Sequence, residues 1–181
     1  MPDGQVVFDL FWADQEEWNE ANRTLARLFD IHGSGLEKVR RLARRAEDSL
    51  LPVFDLMDEF SAQVCPACAA VCCQAASCAF EFTDLLFLHA LSLAWPPHQL
   101  RRSDQEPCRY LGPVGCLLER PRRPFICTWY YCAPMLELYR QQPPRLQRTM
   151  SARLKEAQRL RMEMEKEFIS LVVAGPGGAS T

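Results

Sequence analysis

The chain has 181 residues, a formal net charge of −2, 48 % hydrophobic and 24 % charged residues. That is enough for one domain with its own apolar core, so disulfides are not needed to hold it together. The near-neutral balance excludes a whole-molecule attraction to nucleic acid or to an acidic membrane surface. The N-terminus, Met1 to Asp9, carries acids where a secretory signal needs basic residues. A cytoplasmic location, where thiols stay reduced, is therefore expected.

In chain order, Asp14 to Phe29 places Trp18, Ala21, Leu25 and Leu28 at helical spacing behind an acidic first turn. Gly33 and Gly35 interrupt it, and Ser34-Gly-Leu-Glu37 reads as a capping box opening a second helix. Its apolar positions are Leu36, Val39, Ala43, Ala46 and Leu50, and Pro52 is expected to kink or restart it before Phe60. Ser61 to Phe80 is an uncharged run of 20 residues, the length of a membrane span. Five cysteines, Gln63, Gln74, two serines and Pro66 make it a ligand-bearing loop instead. Thr83 is the expected cap of a buried helix with Leu85, Leu86, Leu88 and Leu91 that ends near Trp95-Pro-Pro.

From His98 to Pro134 the chain is broken by Pro107, Gly112, Pro113, Gly115, Pro121, Pro124 and Pro134 itself, and reads as loop. From Arg145 the stripe Leu146, Met150, Leu154, Ala157, Leu160, Met164, Phe168 and Leu171 predicts a long amphipathic helix. The expected organisation is N-terminal helices in 1–60, a cysteine module in 61–134, a C-terminal helix in 135–173 packing on the N-terminal helices, and a frayed tail in 174–181. The fold class is mainly α: a small helical scaffold around a loop-rich, cysteine-cluster metal-binding segment.

All nine cysteines fall between Cys65 and Cys132, and eight form two runs: Cys65, Cys68, Cys72 and Cys73, then Cys108, Cys116, Cys127 and Cys132. Thiolate is the softest side-chain donor, so such density in a reducing compartment points to zinc, iron or an iron–sulfur cluster. A two-residue gap lets one tight turn aim Cys65 and Cys68 at one metal. Neighbouring side chains diverge, so the Cys72–Cys73 pair implies two sites or one polynuclear cluster. Cys78 either completes the first site or is a small buried apolar residue.

The pattern C-x2-C-x3-CC, then C-x-Y-L at Cys108, Gly115-Cys116, R-P-x2-P at Arg120 and C-x4-C from Cys127 to Cys132 resembles the YkgJ-type cysteine-cluster family. The resemblance covers roughly residues 65–132 and implies a zinc- or iron-chelating domain. It departs from the commonest family form, which has two residues rather than three between the second and third cysteines. Some proteins similar to this family, flagellin lysine methylases among them, join such a module to catalysis. The family as a whole implies metal binding rather than a reaction.

Eight thiolates match two clusters with four cysteine ligands each, of the 4Fe–4S kind, or two closed zinc sites. The reading leans to iron–sulfur, one or two clusters, used in electron transfer or an unidentified redox reaction, with a redox protein as a candidate partner. Phe80, Phe82, Phe125, Trp129, Tyr130 and Tyr131 are candidates to shield it. The alternative is structural zinc with a basic loop contacting another macromolecule.

Arg101, Arg102, Arg109, Arg120, Arg122 and Arg123 leave the second run basic against Asp104, Glu106 and Glu119. Compensation of thiolate charge is favoured over nucleic-acid binding as the reason. His89 reads as a core residue and His98 as a weak ninth donor. Met150, Met162 and Met164 read as core filling rather than a copper box. Spacing supports neither a Ser-His-Asp nor a Cys-His constellation, so whether the chain is an enzyme stays open.

Overall fold

The computed structural model describes residues 12–68, 73, 78–103 and 106–174. Among them the chain is mainly α with one two-stranded hairpin. Helix α1, Gln15–His32, starts where the Asp14 carboxylate accepts the N–H groups of Glu16 at 2.7 Å and Glu17 at 3.3 Å. That satisfies two of the donors a helix leaves orphaned at its N-terminus. It ends at Gly33, whose φ of +40° suits a residue without a Cβ and lets its N–H reach the Phe29 carbonyl.

The capping box expected at Ser34 does not form. Gly33–Leu36 is a 3₁₀ turn in which the Glu37 N–H bonds the Ser34 carbonyl, and helix α2, Glu37–Val64, follows with no side-chain cap. The 3₁₀ turn itself takes up the early backbone donors, leaving the Ser34 hydroxyl no role there. Pro52 does not restart α2 either. The carbonyl it deprives of a partner belongs to Asp48, which is exposed to water, and buried Leu50 and Val53 hold the helix on either side. Each such buried side chain contributes about 1.5–3 kcal/mol, against a penalty of about 3 kcal/mol for an interior proline.

Helix α3, Phe82–Ala90, is buried from Asp84 to Ala90 and packs against α1. Thr83 is not its cap. Glu81 takes that position, Asp84 accepts the Glu81 N–H at 2.9 Å in a reciprocal box, and Thr83 bonds Glu165 from inside the first turn. Beyond α3 come strands β1, Leu111–Gly112, and β2, Gly115–Cys116, antiparallel with Leu111 opposite Cys116. The short helix α4, Ile126–Trp129, precedes α5, Ala133–Gln141, and α6, Pro144–Ala174. The single helix expected over 135–173 is thus two. Pro134, counted as a breaker, sits in the first turn of α5, where a missing N–H costs nothing.

The α2–α6 pair is the most extensive helix packing. It runs antiparallel: Lys38 near the start of α2 meets Glu167 near the end of α6 at 2.6 Å, and Arg45 meets Glu156 at 3.7 Å. These exposed ion pairs add little, about 0–1 kcal/mol each. The seam is carried by Val39, Ala43, Ala46 and Leu50 facing Ala157, Leu160, Met164 and Phe168, all buried in one core. A second core joins Val53, Leu56, Met57 and Phe60 to Met135 and Met150. No helix among the described residues is long and apolar enough to cross a membrane.

One buried ion pair links scaffold to cysteine segment. Asp84 and Arg161, each with 6 % of the side chain exposed, bond directly, and the same Asp84 oxygen accepts the Phe125 N–H at 2.8 Å. The guanidinium lies between the Phe87 and Phe125 rings, 4.8 and 5.0 Å from their centroids.

His89 is a core residue, as its apolar surroundings imply. Its Nε2 lies 3.2 Å from Asn22 Oδ1, and its ring stacks on Trp95 at 4.8 Å and on Phe29 at 6.1 Å. Burial pushes its pKa from 6.5 down to about 4. As pH falls through 6.5 the unfolded chain takes up this proton and the folded chain does not. The stability that neutral His89 contributes is therefore full above pH 6.5 and lost between pH 6.5 and about 4. Substituting His89→Gln is expected to flatten the decline of the urea midpoint across that window, and an unchanged slope would contradict a buried neutral ring.

Candidate metal centre

A cavity of about 200 Å³ is lined by six cysteines: Cys65, Cys73, Cys78, Cys108, Cys116 and Cys127. They come from the end of α2, the middle of the chain, β2 and α4, so the fold and not local sequence gathers them. Cys65 follows the last turn of α2 and opens a 3₁₀ turn ending at Ala67. Gly115 in the hairpin faces it: its φ of +131° is unfavourable for L side chains, and a Cβ there would lie 3.8 Å from that of Cys65. The same hairpin sets Cys116 through its pairing with Leu111, reinforced by the Leu117 N–H to Tyr110 carbonyl bond of 2.8 Å.

Segment 99–101 threads between the two cysteine runs and ties them. The Gln99 side chain accepts the Phe80 N–H at 2.7 Å and donates to the Phe80 carbonyl at 3.1 Å, fixing the chain two residues past Cys78. The Leu100 carbonyl accepts the Arg109 N–H at 2.8 Å. Arg101 donates to the Cys73 carbonyl at 2.8 Å, which also accepts the Cys108 N–H at 2.8 Å. Backbone bonds thus fix the chain at Cys73 and Cys108 and two residues past Cys78.

Cys127 is placed by Arg120. This side chain, 5 % exposed, reaches Asp58 at 2.6 Å, Ser61 Oγ at 2.6 Å, the Met57 carbonyl at 2.7 Å and the Cys127 carbonyl at 3.5 Å. Burial, then the neighbouring Arg123, push its pKa down, and Asp58 opposes them. The guanidinium stays charged and clamps the cysteine segment onto α2.

The thiols themselves crowd one another. A hydrogen bond with Cys78 is the first cause holding Cys127 well above the usual thiol range, followed by burial and by Cys78, Cys116 and Cys73 as neighbouring charges. Burial raises Cys108 as well, with the Tyr110 backbone N–H and Arg101 opposing and Cys116 and Cys78 adding to it. Thiolates so close together repel unless a cation lies among them, which is the electrostatic condition a metal meets.

Of the expected ligands, the cavity therefore unites Cys65, Cys73, Cys108, Cys116 and Cys127, together with Cys78. Cys68, at the end of the 3₁₀ turn, and Cys132, preceding α5 beside the second core, do not line it. Cys72 lies outside the described residues. Cys68, Cys108, Cys116, Cys127 and Cys132 are not joined in disulfides. Among the described residues no three His, Cys, Asp or Glu side chains stand in a group that could hold a metal ion, so the six sulfurs ring a space without converging on one point. His98 is exposed and does not line the cavity. Of the candidate shielding aromatics only Tyr130 reaches the wall.

Among the described residues no carboxylate lines this cavity, whereas Arg101, Arg120 and Arg123 do. Arg101 is 1 % exposed, and its Nε and Nη1 have no hydrogen-bond partner among the described residues. The donor set and this orphaned cation fit an anionic metal–thiolate group: six soft donors, with buried positive charge beside them. In the sequence Arg120 stands in the Arg-Pro-x2-Pro motif and among the arginines set against thiolate charge, and nothing there signals a clamp on α2. Gln99 had no signal, since its use depends on Phe80 being folded beside it.

Removing the Arg120 clamp is expected to cost at least about 2 kcal/mol, the scale of losing hydrogen bonds to a charged group. In Arg120→Met this appears as a lower denaturant midpoint with unchanged slope, and an unchanged midpoint would show that the clamp carries no weight. Compared with protein-family models, curated proteins and solved structures, the chain gives no significant match.

Proposed function

We propose that the chain is a cysteine-cluster metalloprotein whose cavity holds an iron–sulfur centre, used for electron transfer or another redox role. The observation that carries this is the six-cysteine wall around about 200 Å³, with three arginines and, among the described residues, no carboxylate on it. The resemblance of the cysteine spacing to YkgJ-type domains points to the same class of ligand.

Geometry favours several metal ions over one. Four sulfurs on a single zinc at about 2.3 Å would stand on the order of 3.8 Å apart, all facing one point. Sulfurs spread around a cavity suit a polynuclear centre in which each metal takes one or two thiolates. When bound, such a centre supplies one-electron transfer. The residues do the rest: the cysteines bind, the positive charge of the wall offsets theirs, and Met57, Leu118 and Met135 keep the inner wall dry. Structural zinc is the second reading, supported by the same all-sulfur donor set.

Protein purified without air is expected to be brown, with visible charge-transfer absorption and stoichiometric iron and sulfide. Cys78→Ser is expected to lower that content to half or less, while Cys132→Ser, outside the wall, leaves it intact. Colourless protein with stoichiometric zinc would favour the second reading, and protein without metal would sink both.

A further inference from the structure

The chain buries three arginines, and they are not alike. Arg120 has Asp58 and Arg161 has Asp84, each within ion-pair distance. Arg101, the most buried of them at 1 %, has no such carboxylate among the described residues. Its Nη2 donates to the Cys73 carbonyl at 2.8 Å, while Nε and Nη1 are buried with no hydrogen-bond partner among the described residues, and Arg101 is one of the residues that line the cysteine cavity. A buried cation with two idle N–H donors is strongly unfavourable unless an anion accepts them. Apolar Leu100 and Leu118 line the same cavity.

We infer that Arg101 is the built-in counter-ion of the metal centre, its guanidinium charge and its Nε–H and Nη1–H donors set against the negative charge that a metal–thiolate group would bring to this wall. The inference rests on the metal–thiolate reading above and adds what that reading leaves open: which cation makes a strongly anionic centre tolerable in a buried site. A guanidinium suits this better than an ammonium, because its donors are planar and fixed and it is the more weakly hydrated cation. Two consequences follow. Arg101 selects for a content with net negative charge, such as a four-thiolate zinc or a cubane with thiolate ligands, over neutral species. It also stabilises the more negative, reduced member of a redox pair and so raises the potential of an iron–sulfur centre.

The test compares the full-length wild type, Arg101→Met and Arg101→Lys, each prepared free of metal and then loaded anaerobically with ferrous iron and sulfide, or with zinc alone. Chelator competition gives the affinity, and thermal unfolding is followed with and without metal. Wild type that takes up no metal from either source refutes the metal–thiolate reading itself. Given loading, Arg101→Met is expected to bind at least tenfold more weakly, to gain less thermal stability on loading, and to show a metal-free unfolding midpoint no lower than that of wild type. Arg101→Lys is expected to fall between the two.

If the iron-loaded form is obtained, the one-electron reduction constant of Arg101→Met should drop about tenfold, a shift of 59 mV to more negative potential. Equal affinities in all three proteins, or a midpoint lowered by the same amount with and without metal, would reduce Arg101 to a packing residue and overturn the inference. Should Arg101→Met not fold, Arg101→Gln against Arg101→Lys decides on the same affinity readout. Tenfold weaker binding by Gln alone supports the counter-ion role, and equal binding removes it.

Discussion

The fold turns on the bond between Asp84 and Arg161. Its two charges come from the buried helix α3 and from the long helix α6, and the carboxylate also accepts the Phe125 N–H that leads into α4 and Cys127. A buried pair of this kind is weak as a source of stability, because desolvation offsets most of the attraction, but losing one partner is expensive. Asp84 has its oxygens taken by Arg161, Phe125 and Glu81, so it locks position more than it adds energy. The helical scaffold and the cysteine segment thereby share one fixed point. Arg120 supplies a second fixed point, on α2.

From those two anchors the cysteine wall follows. The segments carrying the cysteines are short and broken, and their backbone bonds run to one another: Cys108 to Cys73, Arg109 to Leu100, Leu117 to Tyr110. What the cavity wall offers is buried positive charge from Arg101 and Arg120 and, among the described residues, no acid. What the cysteines offer is latent negative charge that appears only on deprotonation. The two halves are complementary in sign, and a metal cation is the component that lets both be charged at once. On this account the arginine-rich composition of the second run belongs to the interior of the site as much as to the surface.

Much of the scaffold was legible because burial imposes a 3.6-residue period. The stripe from Met150 to Phe168 and that from Leu36 to Leu50 both proved to be the packed faces. The capping errors have a common cause. Ser34 and Thr83 carry the favoured side chains, but the chain direction at Gly33 and the burial of Asp84 decided the outcome, and neither is a local property. Pro134 and Pro52 were weighed as breakers, when a first-turn site and flanking burial respectively made them tolerable. Cysteine density is what suggests a metal–thiolate site, yet spacing alone did not sort the sulfurs. Cys78 stands on the wall and Cys132 beside a separate apolar core, a distinction fixed by Gln99 and by the start of α5.

X-ray absorption at the metal edge of the anaerobically purified chain tests the central claim most directly. The account predicts a first coordination shell of sulfur alone, with a metal–metal distance present for an iron–sulfur centre. A shell dominated by nitrogen and oxygen would contradict it.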